Sequence, residues 1–219
     1  DQWSYNTVSE WTWTADLLFE SYLNNYAQYV YDQGKKLIII NLFAGSGYVK
    51  QDEDLFLNPA LCALDMENPP EKCIYFEPDA DSFEALEERI KRDYADMDVE
   101  LLPSNANLQV ERLINLLQPY GNNDDYQILC LSAPKALEIQ FFVISELAKL
   151  GVDFACLHGM PEAAFRGPRG FITKNIERIG TYLETMEWAA ILDQPQYSLD
   201  SLTRLFADLY HEKMVSLGY

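Results

Sequence analysis

The sequence predicts an α/β fold: a doubly wound, mostly parallel sheet behind an N-terminal helix. Three observations carry this. Short apolar runs recur at 37–43, 73–76, 127–131 and 152–157. Strands buried on both faces read in this way, whereas half-exposed strands alternate. Amphipathic stretches of helical period separate the runs, at 79–95, 107–118 and 136–150. Strands alternating with helices build a parallel sheet with helices on both faces.

Each element follows from its residues. Residues 14–32 read as a helix: Thr14 is placed to cap it, Asp16 suits its positive end, and Leu17, Leu18, Tyr22, Tyr26 and Val30 recur near helical spacing. Gly34 ends it, and Leu37-Ile38-Ile39-Ile40-Asn41-Leu42-Phe43 is the first buried strand. The stretch 48–71 reads as a long loop holding a short helix near 55–64. Cys73 to Phe76 is the second strand. The helix at 79–95 has Asp81 and Glu84 at capping-box spacing, with Asp79 a further cap. Residues 98–102 make a third strand, and 107–118 a helix carrying Leu108, Leu113, Leu116 and Leu117. A strand at 127–131, a helix at 136–150 and a strand at 152–157 follow. Residues 172–187 read as helix, 189–192 as a sixth strand, and 199–217 as a closing helix capped by Ser198.

No repeat, low-complexity tract or linker interrupts this order. Residues 1–36 are therefore expected to form a helical cap and 37–219 one Rossmann-like unit. In such sheets the crossovers are right-handed, and ligands bind at the carboxyl ends of the strands near the switch point.

Of 219 residues, 35 are acidic and 16 basic, a net charge of −19, while 48% are hydrophobic. That apolar share excludes a disordered chain. No stretch reaches the roughly 18 apolar residues of a membrane span. Asp1-Gln2-Trp3-Ser4 lacks the basic residues and apolar run of a signal peptide, and no initiator Met is present, so an earlier start is expected. The overall field disfavours extended nucleic acid as a partner. The charge is uneven: residues 50–100 hold 16 acids and 5 bases, net −11, whereas Arg166, Arg169, Lys174 and Arg178 cluster against Glu177. A local basic loop on an acidic body stays open as a place for an anion. Cys62, Cys73, Cys130 and Cys156 have no C-x-x-C spacing, so no metal site is expected. Free thiols in a reducing cytoplasm are the expectation.

The sharpest local signal is Asn41-Leu42-Phe43-Ala44-Gly45-Ser46-Gly47, where the first strand ends. Two glycines one residue apart permit a tight turn and a close backbone approach to a ligand. A phosphate loop would need Gly-Lys-Ser/Thr, but Tyr48 follows Gly47; a nicotinamide fingerprint would need glycine where Lys50 stands. The plain alternative is an ordinary strand-to-loop turn. At the end of the second strand, Glu77 in Phe76-Glu77-Pro78-Asp79 can accept both hydroxyls of a ribose, or be one more acid in an acidic segment.

Phe43-Ala44-Gly45-Ser46-Gly47 after an apolar strand resembles motif I of class I S-adenosylmethionine-dependent methyltransferases. More narrowly, the chain resembles the three-Cys-motif partner protein family. Its members open with a helix containing a Tyr-Leu step, then a strand running into Asp-Leu-Phe-Ala-Gly-Ser-Gly. Ser21-Tyr22-Leu23-Asn24-Asn25-Tyr26 and the segment 41–47 fit that layout. The ending Leu209-Tyr210-His211-Glu212-Lys213-Met214-Val215-Ser216-Leu217-Gly218-Tyr219 resembles the family's late Tyr-rich helix and Leu-Gly-Tyr step.

The resemblance implies S-adenosylmethionine as cofactor. Asn41, Phe43, Ala44, Gly45, Ser46 and Gly47 would face its methionine part, Glu77 and Pro78 its ribose, and Asn105 and Ala106 its adenine. Asn105 could offer its carbonyl oxygen to the adenine amine, while Asn107 could cap the next helix. Ser132 and Pro134 fall where amine methyltransferases hold the substrate, so they are the catalytic candidates. His158, Arg166 and Arg169 are candidates for the substrate loop. Three departures share a direction: Asn41, Asn105 and Ala133 stand where the family carries Asp. Two functions follow. One is an S-adenosylmethionine-binding protein, a methyltransferase or its degenerate descendant. The other is a catalytically inactive fold serving as a protein-interaction module with a protein partner. Trp3, Trp11 and Trp13 with Tyr5 are expected to form an apolar cover or a partner surface. Class I folds usually finish with an antiparallel strand pair, so missing C-terminal residues or an abbreviated sheet are expected.

Overall fold

The computed structural model describes residues 3–7, 10–133, 137–157, 168–193 and 198–219. In chain order they form β1 (Asn6–Thr7), α1 (Glu10–Asp32), β2 (Lys36–Asn41), β3 (Tyr48–Gln51), β4 (Asp54–Leu57) and α2 (Pro59–Leu64). Then come β5 (Lys72–Phe76), α3 (Ala80–Asp93), β6 (Val99–Leu102), α4 (Val110–Leu117), β7 (Tyr126–Ser132), α5 (Phe141–Ala148) and β8 (Val152–Cys156). Helices α6 (Pro168–Lys174), α7 (Ile176–Leu183) and α8 (Leu199–Ser216) follow.

Ile38, Ile39 and Ile40 have no polar face to offer water, and all three are fully buried. Their strand, β2, is the middle of a five-stranded, all-parallel sheet in the order β6-β5-β2-β7-β8. Burying each of these side chains stabilises the fold by roughly 1.5–3 kcal/mol. The chain runs outward from β2 through β5 to β6, then returns to β7 on the other side of β2. That reversal makes the carboxyl ends of β2 and β7 the switch point of a Rossmann-like sheet. The predicted fold class is present.

Packing divides the chain into two compact units: Asp1–Ser132 with Leu150–Cys156, and Ala133–Lys149 with Leu157–Tyr219. Helix α1 belongs with the sheet in the first unit. Leu23, Ala27 and Val30 are buried along it, and the Tyr26 hydroxyl donates to the Asp153 carboxylate of β8 at 2.5 Å. In the second unit, Phe141 meets Tyr210 edge-on at 5.2 Å, and the fully buried Trp188 meets Phe206 at 6.3 Å.

Several elements differ from expectation. Helix α1 is already formed at Glu10, so Thr14 lies inside it rather than at its N-cap. Residues 48–57 are no loop: β3 and β4 pair as an antiparallel hairpin turning at Asp52, whose φ is +53°. β1 joins this hairpin in parallel to make a second, three-stranded sheet. Of the two readings of the start of α3, Asp79 as cap holds: it accepts from Ser82 N at 2.9 Å, and the Asp81–Glu84 pair lies inside the helix. Helix α5 starts five residues late, at Phe141. The helix expected at 172–187 is two, α6 and α7, broken at Asn175. Residues 187–193 form a 3-10 helix, not a sixth strand. Ser198 caps α8 as expected.

The four cysteines are free thiols, three of them buried and Cys156 half-buried. Among the described residues, no helix is long and apolar enough to cross a membrane.

Candidate functional site

The switch point is built from the turn that leaves β2. Leu42 N continues the ladder to Leu131 O at 3.1 Å, and Ala44 N then crosses to Phe76 O, at the end of β5, at 2.9 Å. Asn41, 4% exposed, turns its side-chain oxygen onto Phe43 N at 3.0 Å, an Asx turn that bends the chain out of the strand. Gly45 follows at φ +65°, where a side chain would be strained. Its N–H donates to Glu77 Oε2 at 2.7 Å.

Glu77 is 8% exposed and grips two backbone segments. Its other oxygen, Oε1, accepts from Asp79 N at 2.8 Å. Both carboxylate oxygens therefore join the glycine-rich turn to the start of α3. Pro78, exposed, sets the chain between them.

The two glycines do different work. Gly47 sits at φ +93°, and a Cβ there would lie 2.8 Å from Leu61 Cδ1 and 3.1 Å from Leu86 Cδ1. Its glycine requirement comes from packing against α2 and α3, not from a ligand. Ser46 is buried with its hydroxyl on Tyr48 O at 3.1 Å.

Beyond β6, the Asn105 side-chain oxygen accepts from Asn107 N at 2.8 Å and caps the 3-10 turn Ala106–Leu108. Asn105, not Asn107, is thus the cap. Ala106 is buried behind it. Ser132 ends β7, 1% exposed, in register with Cys156 of β8. The expected site residues from β2, β5, β6 and β7 therefore all lie at one edge of one sheet. Pro134, His158 and Arg166 lie outside the described residues, as does the side chain of Arg169, whose backbone is in α6. Of the expected basic patch, Arg178 donates to Leu137 O at 3.0 Å and lies 3.9 Å from Glu138. Lys174 is exposed.

Two residues at this edge escaped the sequence reading. Asn58, 6% exposed, caps α2 through Ala60 N and Leu61 N and donates to Ala44 O at 2.6 Å. The Asn58-Pro59 step, a cap residue before proline at the first helical position, was the available signal. Arg89 is the other. It falls on the buried stripe of α3 with Ser82, Ala85 and Leu86, and is 1% exposed. A cation at an apolar-stripe position was its signal. Burial lowers its pKa from the usual value, yet a guanidinium stays charged. It stacks on the Tyr48 ring at 4.7 Å and donates to Ser46 O at 2.5 Å. Of the expected tryptophan cover, Trp13 packs on Phe56 of the hairpin at 5.8 Å, while Tyr5 is 41% exposed beneath Lys50.

No protein-family model matches the chain, and no curated protein matches it. Among solved structures it is similar to protein LPL1258 of Legionella pneumophila str. Philadelphia 1, of the family called DUF519. The two are 12% identical, 74% of each chain is covered, and the TM-score is 0.52. A conserved hypothetical protein of Streptococcus pyogenes is 17% identical over 55% of this chain and 66% of its own. Its TM-score of 0.38 carries no argument. The first likeness shows a shared Rossmann-like α/β fold; the three-Cys-motif partner family is not shown by these comparisons.

Proposed function

We propose that the carboxyl edge of the sheet binds S-adenosylmethionine and that the chain is a methyltransferase of class I type or a descendant of one. The observation that carries this reading is the clustering of buried polar side chains. Asn41, Ser46, Glu77 and Ser132 are all at most 8% exposed and lie at or just past the ends of adjacent parallel strands. Polar groups do not gather in a dry place without partners. In this topology, the crevice outside the strand ends is where a ligand sits.

The residues fit such a cofactor in part. Glu77 would accept ribose hydroxyls while keeping Gly45 N in place. Gly45 and Ser46 would border the methionine part with Asn41, Phe43 and Ala44, and Asn105 would meet the adenine amine. The cofactor, when bound, supplies an electrophilic methyl group. The role left to Ser132 is to orient an acceptor, a gain in rate through positioning.

A second reading, an inactive interaction module, has one observation of its own. Asn41, Glu77 and Asn105 each accept from a backbone N–H of the chain itself. Those bonds are sufficient to explain three buried or half-buried polar side chains as parts of a scaffold. Calorimetric titration with S-adenosylmethionine and S-adenosylhomocysteine separates the two. Micromolar binding that Gly45→Arg abolishes, with the fold intact by circular dichroism, supports the cofactor reading. No heat at millimolar ligand overturns it and leaves the scaffold.

A further inference from the structure

Arg89 reaches across two segments far apart in sequence. Its Nη1 donates to Ser46 O at 2.5 Å, inside the glycine-rich turn, and to Ser4 O at 2.9 Å, in the segment before β1. Nη2 lies 3.5 Å from Trp3 O. The guanidinium therefore ties carbonyls of both segments together while stacked on Tyr48, the residue that leads from the turn into β3. The same early segment is held twice more. Ser4 Oγ donates to Asp81 O at 3.1 Å, and β1 pairs in parallel with β3, Asn6 opposite Val49 and Thr7 opposite Lys50.

We propose that residues 3–7 are a strap and Arg89 its latch, so that the conformation of the turn at 45–48 depends on the strap being docked. A planar cation with five donors can bond two backbone segments at once, which a neutral side chain of the same length cannot. Buried at 1% exposure, it is costly to leave with any of those donors unmet. Release of the strap strips Ser4 O and Trp3 O from Arg89 and opens its site to water. The Ser46 carbonyl then loses its fixed partner geometry, and Gly45 N loses its fixed approach to Glu77. β1 is only two residues long and forms one edge of its sheet, so the strap is the low-stability side of this pair. Arg89 is accordingly a positioning residue, acting on the turn rather than on a ligand. The inference concerns the same turn as the proposed cofactor site, and rests on that reading only for its functional meaning.

Amide hydrogen exchange on the ligand-free protein tests this. Arg89→Met is expected to speed exchange at 3–7 and 45–48 together, by about tenfold or more, while β5 and β7 stay protected. Arg89→Lys, which keeps one cation but not the fork, is expected to give a smaller, still joint rise. Should Arg89→Met unfold the protein, Ser4→Ala decides the matter. It removes only the bond to Asp81 O and leaves Arg89 in place. A latch requires the turn to follow the strap in that variant, by about two- to fivefold at both. A strap that loosens while 45–48 is unchanged overturns the proposal, as does an Arg89→Met protein with unchanged exchange at either segment. No ligand enters these measurements, so failure to bind S-adenosylmethionine and failure of the latch are separate results.

Discussion

The two ends of the central sheet use polar residues differently. At the carboxyl end, Asn41 and Glu77 are buried and their oxygens hold backbone N–H groups of the turns. At the amino end, Lys36 pairs with Glu71 and Lys72 with Asp98, each at 2.7 Å, and the Lys36 and Glu71 side chains are 54% and 46% exposed. A cavity of about 540 Å³ opens at that amino end, lined by Val30, Gly34, Lys36, Leu37, Asn68 and Glu71. The site proposed above lies at the other end, where the buried polar side chains gather. Exposed charges keep their water and contribute little either way. Buried polar groups persist only where something bonds them, so their placement carries information about function.

The largest expected effect tests that contrast directly. Glu77→Ala removes the acceptor of both Gly45 N and Asp79 N, and is expected to cost about 2–4 kcal/mol, since stranded donors lose their desolvation penalty unrepaid. Glu77→Gln retains one oxygen and is expected to cost about half as much. Urea melts of the two variants against the parent give both values. A loss under about 0.5 kcal/mol for Glu77→Ala would make the carboxyl end no different in kind from a solvated surface.

How much of this was legible in the sequence follows from the same physics. Ile38 to Ile40, apolar and β-branched throughout, read as a strand buried on both faces, and they lie in the central strand of the sheet. Gly45 and Glu77 could be singled out as candidates because a Rossmann-like sheet ends its strands at a ligand crevice, and both lie at those ends. The hairpin at 48–57 was not. Each strand has four residues, too few to show a period, and Asp52-Glu53-Asp54 reads as a charged loop. The run Ala189 to Leu192 misled for the complementary reason: a short apolar stretch looks the same as strand or helix. Trp188 is fully buried within a 3-10 helix. Bonds between distant segments, such as Arg89 to Ser4, have no sequence signature beyond a cation on an apolar stripe.

A half-buried acid sharpens the contrast. On α1, burial pushes the Asp16 carboxyl up to about 6, from an ordinary value of 3.8. Between those values the folded state holds the proton and the unfolded state does not. Stability from this residue is therefore greatest below about pH 3.8 and falls as pH rises towards 6. Asp16→Asn is expected to raise stability at pH 7 by about 1 kcal/mol, after allowance for its partial exposure, and to give no gain at pH 3.5. Urea midpoints of parent and variant across that range check it. An equal gain at both pH values would show that the charge is not the cause. Where Glu77 has backbone donors to justify its burial, Asp16 is dominated by desolvation, and replacement moves stability in opposite directions.

The smallest effect belongs to the amino end. Lys36 gains its proton affinity mainly from the Glu71 hydrogen bond, but both groups are open to solvent. Lys36→Ala and Glu71→Ala are each expected to shift the melting temperature by less than about 2 °C, and the double variant by no more than their sum. Raising the salt from 0.1 to about 1 M shortens the screening length from roughly 10 to 3 Å and should erase what difference remains. Neither variant should change S-adenosylmethionine affinity by more than about twofold, although both reshape the 540 Å³ cavity. If Lys36→Ala abolished binding that Gly45→Arg spared, the ligand would occupy the amino-end cleft. The buried carboxyl-end network would then be structural only, a way to turn the chain at the switch point.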